Sequence, residues 1–131
     1  MTVKEMSQLY YLNREIVQLE RQLEELECLA ESTTQVITGM PHGSGTSDKV
    51  GRFAVRIADL RSMIDNRKAQ CWDELHRLNE YIDSVEDSLT RQILALRYVN
   101  GLSWQQVADS VGGGNTEGSV KQLAYRYLKA N

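Results

Sequence analysis

Ser103-Trp-Gln-Gln-Val-Ala-Asp-Ser-Val-Gly112 is the stretch that decides how this chain folds. Trp104, Val107, Ala108 and Val111 recur at steps of three and four, which sets one face of a helix against a core. Ser103 stands just before that helix and Gln106 follows three residues later. In this reciprocal cap each side chain satisfies a backbone donor left open at a helix start. Ala108 is small where a second helix would cross closely, and Gly112 lets the chain reverse. Thr116 can cap a following helix, whose Val120, Leu123, Ala124, Tyr127 and Leu128 line one side of a 3.6-residue period. The pattern is that of a helix-turn-helix within residues 89–131.

The outward side of the second helix carries Gln122, Tyr125, Arg126 and Lys129. Glutamine can pair bidentately with adenine and arginine with guanine, while lysine and tyrosine can hold phosphate oxygens. Any surface helix shows polar residues outward, so the face alone does not separate DNA binding from plain solvation. Charge separates them better. Residues 89–131 hold five basic and two acidic side chains, a balance of +3. Residues 1–88 hold ten basic and sixteen acidic, a balance of −6, and the whole chain carries −3. Basic charge is therefore concentrated where the motif lies.

Leu89-Thr-Arg-Gln-Ile-Leu-Ala-Leu-Arg-Tyr98, Gly101-Leu-Ser-Trp-Gln-Gln-Val-Ala108 and Glu117-Gly-Ser-Val-Lys121 resemble the region 4 helix-turn-helix of bacterial sigma factors, over about a third of the chain. Gly39-Met-Pro-His-Gly-Ser-Gly-Thr-Ser-Asp-Lys-Val-Gly51, between two long helices, resembles a group of small phage and prophage proteins of Gram-positive bacteria. These are similar in turn to the ArpU and RinA type of late phage transcriptional regulators. The resemblance implies double-stranded DNA as partner, contacted by Arg91, Ser103, Gln105, Ser119, Lys121, Gln122 and Arg126, the first three on phosphates. Tyr125 and Lys129 join them from the outward face. Two departures stand out. The turn Gly112-Gly-Gly-Asn-Thr116 is about two residues longer than in the sigma pattern, which can alter the helix crossing angle. Leu123 stands where sigma region 4 commonly has a DNA-facing arginine, so it packs inward or meets a partner.

Residues 1–88 follow another signal. Leu9, Leu12, Ile16, Leu19, Leu23, Leu26 and Ala30 alternate steps of three and four, a heptad seam flanked by charge. This predicts a helix over about residues 3–32. A second, longer stretch runs through Val50, Phe53, Ile57, Leu60, Ile64, Cys71, Leu75, Leu78, Ile82 and Val85, with a phase change near Arg67 and Lys68 that reads as a stutter. Between them, residues 33–47 read as a loop, with Thr46 or Ser47 capping the second helix. Pro41-His-Gly-Ser-Gly45 lacks both the preceding strand and the Gly-Lys-Ser/Thr ending of a phosphate loop, so it reads as a turn or a partner contact. The expected fold is all-α: a long antiparallel, coiled-coil-like hairpin or stalk over 1–88, then a small sigma region 4-like helix-turn-helix unit over 89–131.

The composition, 41% hydrophobic and 25% charged, is that of a folded chain, and no apolar run approaches the ~20 residues that span a bilayer. No signal peptide is visible at Thr2 to Glu5, so the expected location is the cytoplasm of a bacterial host cell. Cys28 and Cys71 have no zinc spacing and read as small buried apolar residues. His42 and His76 are single, and the acidic pairs Glu24-Glu25 and Glu86-Asp87 sit on helix flanks. No nucleophile, base and orienter set emerges, so neither enzyme, metal nor cofactor is expected. Two function classes stay open. One is a regulator that reads DNA while its hairpin dimerises or engages host RNA polymerase. The other is an interaction or assembly factor, such as a small DNA-packaging subunit or a sigma-like decoy, that reads no DNA sequence.

Overall fold

The computed structural model describes the backbone of residues 1–38 and 44–130 and the side chains of residues 1–32 and 49–130. All regular structure among them is helical: α1 (Val3–Met6), α2 (Gln8–Thr38), α3 (Ser44–Asp83), α4 (Ser88–Leu94), a π-helical turn (Ala95–Val99), α5 (Trp104–Val111) and α6 (Glu117–Ala130). Residues 33–38 and 44–47, read above as loop, belong to α2 and α3. No glycine or proline precedes Gly39 to stop α2. Thr46 and Ser47 consequently fall inside α3 instead of before it. The part of the loop that includes Pro41, His42 and Gly43 lies outside the described residues.

Packing divides the chain at 13/14 and 69/70, not at 88/89. The unit Arg14–Ala69 is an antiparallel helix pair. From α2, Ile16, Leu19 and Leu26 are buried; from α3, Ile64 is buried, and Val50, Phe53, Ile57 and Leu60 are half-buried. Ion pairs flank this seam: Arg67 to Glu15 at 2.9 Å, Lys68 to Glu20 at 4.0 Å and Arg61 to Glu27 at 2.8 Å. They are largely exposed, so each contributes about 0–1 kcal/mol, and their main effect is to hold register. The expected phase change falls within a continuous helix: α3 runs uninterrupted through Arg67 and Lys68, and Arg67, Cys71 and Leu75 follow one another at two successive steps of four. Arg67 itself keeps the three-four step from Ile64 to Cys71, its stem half-buried and its guanidinium turned out to Glu15. Cys28 is exposed, not buried, because it lies two residues past Leu26 and off the seam.

The unit Met1–Asn13 with Gln70–Asn131 has one core drawn from every helix in it. Met6 and Leu9 enter from the N-terminus, Leu78 and Ile82 from the end of α3, and Val85 from the segment that follows it. They meet Ile93, Leu94, Val107 and Val120, each buried completely. Burial of such side chains stabilises by about 1.5–3 kcal/mol apiece. Asp87 starts α4 by accepting hydrogen bonds from the backbone N–H and the hydroxyl of Thr90, at 3.1 and 2.6 Å. Those bonds hold its carboxyl below the usual aspartate range.

Tyr98 closes the core beside Trp104, ring centroids 6.3 Å apart and nearly perpendicular. Burial pushes its phenol from the ordinary 10.0 up to about 12. The folded state thus keeps a proton that the unfolded chain releases. Stability from this group is complete below pH 10 and is lost as pH rises toward 12. Alkaline unfolding followed by circular dichroism should contain that loss, and Tyr98→Phe should remove it. An unchanged alkaline limb in Tyr98→Phe would contradict the assignment.

Candidate nucleic-acid interface

The helix-turn-helix is built as its sequence implies. Ser103 Oγ accepts from Gln106 N–H at 3.2 Å, and Gln106 Oε1 accepts from Ser103 N–H at 2.9 Å. Ala108, 2% exposed, lies in the same core as the fully buried Val120 and Ala124, where a larger side chain would disturb the packing of α5. The long turn is accommodated by three successive glycines at positive φ: Gly112 at 62°, Gly113 at 65° and Gly114 at 78°. L side chains rarely adopt that region, so the added length needs this composition. Asn115 then donates from its side chain to the Gly112 carbonyl at 2.7 Å. Thr116 caps α6 through Ser119 N–H at 3.2 Å, and Ser119 Oγ accepts from Thr116 N–H at 2.9 Å.

Capped and packed in this way, α6 buries Val120, Ala124 and Leu128 and half-buries Leu123 and Tyr127. Leu123 thus packs inward, the first of the two alternatives its position allowed. Gly118, Lys121, Gln122, Tyr125, Arg126 and Lys129 share the exposed side, where they line one continuous shallow groove. Three of these are cations, and no carboxylate lines the groove. Gly118 presents bare backbone there, with open space around the position of a Cβ. Lys121 Nζ lies 5.9 Å above the Tyr125 ring, and Tyr125 meets Trp104 edge to face at 5.7 Å. The tyrosine is therefore held from both sides, and little freedom is left to lose on contact with a ligand.

The remaining sequence-selected residues are placed differently. Ser103 and Gln105 are exposed at the start of α5, with Gln105 donating to Asp109 at 3.1 Å. Ser119 is exposed but engaged by Thr116. Arg91 does not line the groove of α6: it is half-buried, and one of its guanidinium nitrogens donates to the Val85 carbonyl at 2.7 Å, tying α4 to the segment that follows α3.

Sequence reading missed two contributors. Arg97 stacks over Trp104 at 4.7 Å and donates to the Leu102 carbonyl at 2.9 Å. It is positioned by the π-helical turn, in which Asn100 N–H reaches back to the Ala95 carbonyl at 3.0 Å. Nothing in the apolar spacing announces such a widened turn, although π turns frequently mark functional places. Gly118 was the other, and a lone glycine near a helix start was its only signal. Comparison with protein-family models, with curated proteins and with solved structures finds no match to this chain.

Proposed function

We propose that the chain is a DNA-binding transcriptional regulator of the phage or prophage kind, with α6 entering the major groove of duplex DNA. The observation that carries this reading is the single exposed face of α6, on which Lys121, Gln122, Tyr125, Arg126 and Lys129 stand together around the bare backbone of Gly118. Gln122 and Arg126 supply the two side-chain types that pair with base edges, and Lys121 and Lys129 the point charges that suit phosphates. The pair formed by α2 and α3 serves to join two copies or to engage host RNA polymerase. Two half-sites give a small basic motif the phosphate contacts it otherwise lacks.

A second reading, an assembly or interaction factor, is favoured by one observation. Trp72 is 72% exposed, and Val17, Leu29 and Val55 are also well exposed on the long helices. Binding to duplex DNA across a salt series separates the two. The regulator binds with an affinity that falls steeply with salt, whereas the interaction factor shows no salt-dependent binding. Arg126→Ala should weaken binding by about 1–3 kcal/mol, selectively for one base if Arg126 reads an edge. Unaltered affinity in that variant would take Arg126 out of the interface.

A further inference from the structure

We propose that the groove between the start of α2 and the turn joining α4 to α5 holds a backbone phosphate of the duplex that α6 engages, so that the N-terminal helix shares in DNA binding. This rests on the DNA-binding reading above. The groove, about 440 Å³, brings Tyr10 and Tyr11 together with Arg97, Ser103 and Gln106, within one packed unit. Its lining supplies a guanidinium, phenols, serine hydroxyls and an amide, and no carboxylate lines it. Those are groups that bind phosphate oxygens.

Arg97 is the anchor. None of its contacts among the described residues is to an acid: its guanidinium carbon lies over the Trp104 ring, 4.7 Å from the centroid, and one nitrogen donates to the Leu102 carbonyl. A planar fork held over a ring and by a carbonyl is pre-organised, and its remaining donors and full charge are left for an anion. Tyr10 and Tyr11 meet edge to face at 5.3 Å, which fixes the opposite wall. Gly101, at φ 71°, lets the turn pass beside the Tyr10 ring, 4.0 Å from where a Cβ would stand.

The groove and the α6 face are neighbours through Trp104. Arg97 stands 4.7 Å from that ring, Tyr125 5.7 Å from it, and Lys121 5.9 Å from Tyr125. A DNA strand places one phosphate per ~3.4 Å of helix axis, so surfaces joined by steps this short fall on phosphates close together along one duplex. An anion here is therefore the flank of the same contact.

The test adds charge to the wall that α2 supplies. Tyr11 is 64% exposed, so substitution there leaves the core intact. Binding of the full chain to a mixed-sequence duplex is measured by fluorescence anisotropy over a salt series. Tyr11→Lys should tighten binding roughly eightfold at 0.1 M salt and steepen the slope of log affinity against log salt by about 0.9, the yield of one added phosphate contact. Tyr11→Glu should weaken it, and Asn79→Lys, an exposed position outside both grooves, should leave the slope unaltered. If the two Tyr11 variants match the parent, or Asn79→Lys gains as much as Tyr11→Lys, the phosphate site is overturned while an effect of Arg126→Ala preserves the role of α6. If the parent chain shows no salt-dependent binding, the DNA reading falls and this site with it.

Discussion

Met6→Ala lowers the unfolding free energy of the helix-turn-helix unit by about 2–5 kcal/mol, the cost of truncating a fully buried long side chain in a core that cannot collapse around the gap. Met6 is 0% exposed and stands in one cluster with Leu78, Ile93, Leu94 and Val107, far along the chain from it. Five of the fourteen buried residues of that cluster, Met6, Leu9, Leu78, Ile82 and Val85, precede residue 89. A fragment comprising residues 89–131 alone should accordingly lose most of its helical circular dichroism and any cooperative thermal transition. Chains of about 40 residues already lie at the limit for an unaided core. Denaturant titration of Met6→Ala against the parent, followed by circular dichroism, measures the first effect. A variant within about 0.5 kcal/mol of the parent, or a fragment that melts as the full chain does, would mean the helix-turn-helix is independent of the N-terminus.

This shared core also locates what could be learned from the sequence. Helix identities and faces were legible because apolar spacing is a local property: the seam from Leu9 to Leu26 and the inward side of α6 emerge as read. The caps at Ser103 and Thr116 were legible for the same reason, since each is settled within three residues. Domain limits were not. A charge shift at residue 88 marks where composition changes, whereas packing joins Met6 to Ile93 through contacts that leave no mark in either local pattern. Arg91 illustrates the limit for sites. Its position in a motif pointed to phosphate, yet it does not line the groove of α6, and one of its guanidinium nitrogens is taken by the carbonyl of Val85, just past α3. Arg97 was overlooked because the π-helical turn that aims it is a backbone choice, invisible to side-chain periodicity.

Replacing Lys121, Arg126 and Lys129 together by glutamine should abolish measurable DNA binding at physiological salt while leaving the fold in place. Each side chain is exposed, so each exchange should shift stability by no more than about 0.5 kcal/mol. The one contact of note that would be lost is that of Lys121 over the Tyr125 ring at 5.9 Å, worth roughly 0.5–1 kcal/mol at an exposed site. Binding responds differently, because counterion release scales with the phosphates neutralised. Loss of three cations should flatten the slope of log affinity against log salt by about 2.7, and at 0.1 M salt that removes a few hundredfold in affinity. Gln122 and Tyr125 are untouched in this variant, so any binding that survives at low salt reports on them and on the groove at Arg97. Isothermal titration with a duplex at three salt concentrations gives both slope and affinity. A triple variant that keeps the parent slope while melting at the parent temperature would place the DNA contact away from α6.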